Sequence, residues 1–235
     1  MVEAIITKND SSFVDGLKAG VSIAVGYMPV ALTFGLLART TGLTLYEAIL
    51  MSILVFAGAA QYITLSLIAI GTGAFEIIFT IFIVNIRHLL MSASINEKVE
   101  EDTPWKKAIY AFGITDETFT VSATKKGVLT TGYMFGLCLI SYSSWVIFTG
   151  GGYIAGATLP EVIQQGMSVA LYAMFVGLLI PTAKKSRKVL FLAGFAAIFN
   201  SILTLAQFPT GWAIVIATLL SSVIVEWFMG RRTNE

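Results

Sequence analysis

Charge is the first thing this chain is short of. Lys, Arg, Asp and Glu make up 12% of its 235 residues, whereas a soluble domain carries about 25% so that its surface can face water. Cysteine occurs once, as Cys138, and histidine once, as His88. A single cysteine forbids an intrachain disulfide, and the two residues together supply no thiolate or imidazole cluster, so neither a metal nor a cofactor is expected. A net charge of +1 offers no basic surface to nucleic acid. No Ser-His-Asp or Glu-x-x-His arrangement occurs at useful spacing, which argues against a hydrolase or zinc enzyme. "TGGGYIAG" at 149–156 has the wrong spacing and no preceding strand for a dinucleotide fingerprint. The first sixteen residues hold Glu3, Asp10 and Asp15 and no apolar run, so a cleaved signal peptide is not expected.

What the chain has instead is apolar length. Hydrophobic residues make up 56%, mean hydropathy is +0.82, and several runs reach the roughly 20 residues that span a hydrocarbon core. The reading is an all-α integral membrane protein, a polytopic bundle of about seven or eight transmembrane helices with some broken or re-entrant. Candidate spans are about 17–39, 46–71, 77–95, 107–124, 127–149, 160–182, 188–206 and 211–229. Linkers are short, so one transmembrane domain over 1–235 is expected, with tails at about 1–16 and 230–235. Lys8 and Lys18 precede the first span, Lys184, Lys185, Arg187 and Lys188 lie between the sixth and seventh, and Arg231 and Arg232 follow the last. Loops 150–159 and 207–210 carry no basic residue. That asymmetry predicts both termini on the cytoplasmic side.

Two spans are weak. The stretch 107–124 contains "GITDETFTVSAT", polar all round at helical spacing, and 46–71 is interrupted by "AGAAQ". A second topology makes the former re-entrant or interfacial and breaks the latter into a hairpin. It also puts Lys98, Lys106 and Lys107 on the cytoplasmic side. Irregular backbone at membrane depth needs protein or a water-filled cavity beside it, so either version places both segments in the interior. Gly132-x-x-x-Gly136, Gly152-x-x-x-Gly156, Ala193-x-x-x-Ala197 and Ala213-x-x-x-Ala217 predict closely packed helices.

The candidate chemistry starts at "VNIRHLLMSAS", 84–94. Ile, Leu, Val and Phe in 77–95 contribute roughly −3 to −6 kcal/mol to insertion, and a central Arg costs about +2.5 to +3.5 kcal/mol. The span can insert, but Arg87 consumes much of its margin. Thr80, Asn85, Arg87, His88, Ser92 and Ser94 fall within about half of the helix circumference, opposite an apolar half with Ile83, Ile86 and Leu90. Arg87 either offers a bidentate fork to an anionic group in a cavity or is neutralised by Asp116 or Glu117. His88 is either a hydrogen-bonded interior side chain or a proton carrier, and Asn85 a helix-to-helix partner or a ligand. In "TDET", 115–118, the two acids are candidates for an ammonium or a coupling proton, or lie in interfacial water. In "FAGAAQY", 56–62, Gly58 to Gln61 reads as an unwound point facing substrate or as a small-residue helix contact. "GYMPVALTFG" places Gly26 and Pro29 at an expected kink in the first helix.

These same stretches, with Trp145 to Gly156 and "ALYAMFVGLLIP" at 170–181, make the chain resemble the AzlC family, the larger subunit of bacterial branched-chain amino acid exporters. The resemblance implies export of valine, leucine or isoleucine across the inner membrane, secondary transport driven by the proton gradient, and a small hydrophobic AzlD-type partner subunit. The residues add a layout of their own. Arg87 and Asn85 would meet the substrate with Gln61 and Gly58, Asp116, Glu117 and His88 would take its ammonium or a proton, and Tyr27, Tyr62 and Phe119 would seat its apolar side chain. The rivals are a passive channel-like facilitator and a non-transporting membrane scaffold or sensor.

Overall fold

The computed structural model describes residues 2–156, residues 160, 162, 176, 179, 180, 183 and 184, and residues 186–229, with only the backbone of 2–11 and 229 described. Most of the expected span 160–182, the motif at 170–181, and Lys185, Arg231 and Arg232 lie outside the described residues. Among those described, the helices are α1 Val2–Thr40, α2 Leu45–Leu54, α3 Gly58–Ala69, α4 Ala74–Asn96, α5 Pro104–Phe112, α6 Asp116–Thr124, α7 Thr131–Ala155, α8 Arg187–Leu205 and α9 Thr210–Met229. Five are long and apolar enough to cross a membrane: α1 over Ser12–Thr40, α4, α7, α8 and α9 over Thr210–Phe228. This is an all-α membrane protein.

Both weak spans are broken. The expected helix 46–71 is α2 and α3 with a gap at 55–57, and 107–124 is α5 and α6 with a gap at 113–115. The expected 127–149 lies several residues later, because α7 runs on through Gly150–Gly152 instead of ending there. Glycines cost helix stability, about 1 kcal/mol each, but here packing outweighs propensity. A Cβ on Gly152 would overlap the carbonyl of Leu32, and one on Gly35 would overlap the carbonyl of Thr149. The same close approach recurs a few turns away, where Gly16 and Gly136 face the backbones of Tyr133 and Phe13. α1 and α7 therefore touch backbone to backbone along their length, as small-residue spacing allows.

α1 also runs unbroken through the expected kink. Pro29 supplies no N–H, and neighbouring carbonyls recruit hydroxyls: Ser144 donates to Ala24 at 2.7 Å, Tyr62 to Val30 at 2.7 Å and Thr33 to Pro29 at 2.8 Å. Gly26 is exposed, and a Cβ there would meet nothing.

The described contacts gather into two compact units, residues 1–62 with 85–170, and residues 63–84 with 171–235. The first has its core along α1 and α7, where Ala31, Phe34, Ala38, Leu137 and Trp145 are buried. In the second, Ala213, Ala217 and Val225 of α9 are buried, Phe79 packs on Trp212 at 5.3 Å between ring centroids, and Lys188 pairs with Glu226. Glu76 accepts from the Trp212 N–H at 3.3 Å, placing an acid on the N-terminal turn of α9.

Candidate functional site

The first break is closed by a neutral network. Gln61, in the first turn of α3, donates from Nε2 to the Met51 carbonyl at 3.0 Å, back across the gap to α2. Its Oε1 accepts from Trp145 Nε1 at 2.8 Å. Ser52 and Thr149 share a hydroxyl bond of 2.8 Å beside it. Gly58 leaves the space that the Trp145 ring fills, since a Cβ there would stand 2.9 Å from that ring. Gln61 is 0% exposed, and both ends of its amide are bonded.

The second break is built differently. Thr115 caps α6, accepting from the Thr118 N–H at 3.3 Å while its own N–H donates to Thr118 Oγ1 at 2.7 Å. Thr118 Oγ1 in turn donates to the Gly113 carbonyl at 2.9 Å. The cap places Asp116 and Glu117 in the first turn, where unpaired backbone N–H groups and the helix dipole favour negative charge. At the other end the Lys98 ammonium donates to the carbonyls of Ser122 (3.3 Å), Ala123 (2.7 Å) and Lys125. A nine-residue helix thus has acids at its positive end and an ammonium at its negative end.

Tyr27 ties the two breaks together. It lies near the middle of the Ser12–Thr40 span and is 4% exposed. Its hydroxyl donates to Glu117 Oε2 at 2.6 Å and lies 2.7 Å from Thr115 Oγ1. Its ring meets Phe56, inside the first break, edge-on at 6.1 Å and Trp145 at 5.2 Å. One side chain of α1 therefore touches both gaps.

Arg87 of α4 pairs with Asp116, Nη1 to Oδ2, at 2.8 Å. Their side chains are 41% and 37% exposed, so the pair is open on one side. Among the described residues, Arg87 Nε is in contrast buried without a hydrogen-bond partner, as is Asn85 Oδ1. At 100° per residue Asn85 and His88 share one side of α4, and Arg87 points to another.

The structure thus brings Tyr27, Arg87, Asp116 and Glu117 into one chain of contacts. Gln61 and Gly58 meet that chain through Trp145, and Tyr62 is committed to the Val30 carbonyl. Sequence reasoning gave Trp145 no role. Its signal was an indole N–H in the middle of an apolar helix, which needs an acceptor when buried.

A cavity of about 420 Å³ opens beside α5, lined by Ser92, Asn96, Asp102, Lys107, Tyr110 and Ile114 among others. Ile114 lies within the second break. Asp102, in the loop before α5, accepts from Thr131 Oγ1 at 2.6 Å, the Thr103 N–H at 2.6 Å and Lys106 at 3.0 Å. The Thr131 bond first, with the other two, holds its carboxyl down at about 2. Among the described residues no cluster of His, Cys, Asp or Glu could hold a metal ion.

The AzlC protein family matches residues 22–159, a stretch that contains both breaks, the ion pair, Tyr27 and Trp145. The chain belongs to the AzlC family. An uncharacterized membrane protein of Archaeoglobus fulgidus is 38% identical over 174 residues, 73% of this chain and 76% of its own length. Inner membrane protein YgaZ of Escherichia coli (strain K12) is 27% identical over 94% of this chain and 93% of its own length. The branched-chain amino acid transport protein AzlC of Bacillus subtilis (strain 168) is 25% identical over 72% of this chain and 66% of its own length. No solved structure matches the chain. AzlC membership places it among membrane proteins associated with transport.

Proposed function

We propose that this AzlC-family protein is a secondary transporter that exports small apolar amino acids such as valine, leucine and isoleucine across the bacterial inner membrane. It works with a small AzlD-type subunit, is driven by the proton gradient, and keeps both chain ends in the cytoplasm. The observation that carries the reading is the Arg87–Asp116 pair, set at the N-terminus of a short interior helix and left open on one side. Ionisable groups at membrane depth are costly and mark transport routes, and the ends of interrupted helices are where secondary transporters bind charged groups of their substrates. Arg87 receives the carboxylate, and Asp116 or Glu117 the ammonium or the coupling proton. On another side of α4 from Arg87, Asn85 has a carbonyl oxygen for the substrate, unbonded among the described residues, and His88 is a proton carrier. Phe119 gives ring surface to the side chain, while Tyr27, whose ring is packed on Phe56 and Trp145, serves through its hydroxyl on Glu117. Gln61, Gly58 and Tyr62 serve this site by holding the α2–α3 break and α1 in place. The name carried by the Bacillus subtilis relative supports the substrate class.

The test is valine efflux from loaded cells carrying this chain with its small partner. The proposal expects efflux that collapses with a proton uncoupler and is lost in a well-inserted Arg87→Ala variant. Flux that follows the valine gradient alone and ignores the uncoupler would make the protein a facilitator. Absence of valine movement in liposomes under any gradient would make it a scaffold.

A further inference from the structure

Arg87 and Asp116 offer each other what the two ends of an α-amino acid offer a binding site: one planar cation, one carboxylate and no net charge. Their contact is a single Nη1–Oδ2 bond of 2.8 Å between half-exposed side chains, and Arg87 Nε is buried with no hydrogen-bond partner among the described residues. A guanidinium engages a carboxylate best through two parallel N–H groups. Asp116 therefore leaves part of that fork unused. The neighbouring acid is held elsewhere, with Glu117 accepting the Tyr27 hydroxyl at 2.6 Å and Thr115 capping α6 beside it. Asp116 can thus move without undoing the helix end, and its charge stays favoured there by the first-turn N–H groups.

We infer that the resting Arg87–Asp116 pair is a stand-in for the substrate, which enters by exchange: its carboxylate takes the Arg87 fork, Nε included, and its ammonium takes Asp116. This deepens the transport reading and rests on it. One internal ion pair becomes two, no net charge is added at membrane depth, and neither protein charge is left bare. A ligand with one charged end cannot complete the exchange. A carboxylic acid frees Asp116 with nothing to pair it, and an amine frees Arg87. A stranded charge at depth is costly, so the site selects free zwitterionic α-amino acids by their backbone ends, whatever the side chain. Leaving the pair broken is the penalty for every one-ended analogue.

The experiment is competition against labelled valine bound to the full chain in liposomes, using valine, isovalerate (carboxylate only) and isobutylamine (ammonium only). Each one-ended analogue is expected to compete about 10- to 100-fold more weakly than valine, the factor that one unmade charge-assisted interaction implies. In Asp116→Asn the resting pair is gone and Arg87 stands free, so isovalerate is expected to gain on valine by about tenfold or more, with no gain for isobutylamine. Should that variant fail to fold, Arg87→Lys keeps the charge and loses the fork; valine and isovalerate are then expected to weaken together. Wild type that binds valine no better than isovalerate would keep the transport reading and overturn the exchange, as would an Asp116→Asn or Arg87→Lys variant with unchanged competition. Wild type that binds no valine would remove both.

Discussion

The two interrupted helices solve one problem in opposite ways. Around 55–57 the polar groups are neutral, enclosed and matched: the Gln61 amide bridges Met51 and Trp145 and is wholly buried. Around 113–115 they are charged and half open, and one of them, Arg87 Nε, lacks a partner among the described residues. A buried polar network that is satisfied within the protein has nothing left to offer a ligand, whereas a partly used charged one does. The difference separates support from site. Tyr27 is where the two meet, with its ring on the first break and its hydroxyl on the second.

The comparison breaks most readily at Gln61. Gln61→Leu removes the bridge to Met51, whose carbonyl keeps the Val55 N–H, and strands the Trp145 N–H, a buried orphan costing about 1–3 kcal/mol. A large drop in the melting temperature of the detergent-solubilised protein is expected, with valine affinity retained in what stays folded. Next comes Tyr27→Phe, which keeps the ring and deletes the hydroxyl. Because Glu117 loses its donor, transport should fall about tenfold while melting shifts much less than for Gln61→Leu. Lys98→Met takes the ammonium from the C-terminal carbonyls of α6 and should destabilise by about 1 kcal/mol, read as a small fall in melting temperature that added salt reduces.

The smallest effect lies outside the spans. The Asp102 carboxyl titrates at about 2, below the ordinary value of about 3.9. Its contribution to stability is therefore present above the ordinary value and disappears as pH falls toward 2. Asp102→Asn should lower melting slightly at neutral pH, flatten that part of a melting-against-pH profile, and converge with wild type near about pH 2.

Much of this was legible in the residues. Low charge with long apolar runs specified the membrane, and Thr-Asp-Glu-Thr is itself a helix start with acids in its first turn. The small residues of "AGAAQ" marked an interruption, but the gap falls at 55–57, and Gly58 to Gln61, read either as an unwound point or as a helix contact, form the first turn of α3. Other features depend on contacts that hydropathy does not encode. α7 runs through three glycines because α1 lies against them, and no local propensity predicts that. Gln61 looked like a ligand since a lone amide in an apolar run has no visible partner; the partner, Trp145, is 84 residues away. Pro29 marks a weak point in α1, but the hydroxyls that tend its neighbours come from α3 and α7. The Arg87–Asp116 pair was one of two open readings of the same residues, and only geometry shows that it leaves a donor unused.

The most direct test sets the two breaks against each other in one preparation: valine counterflow and thermal melting of Arg87→Ala and Gln61→Leu in matched proteoliposomes. The account predicts that Arg87→Ala abolishes counterflow even in the fraction that stays folded, and that Gln61→Leu lowers melting while its folded fraction still exchanges valine. Counterflow that survives Arg87→Ala but disappears in folded Gln61→Leu would move the site to the other break and contradict the account.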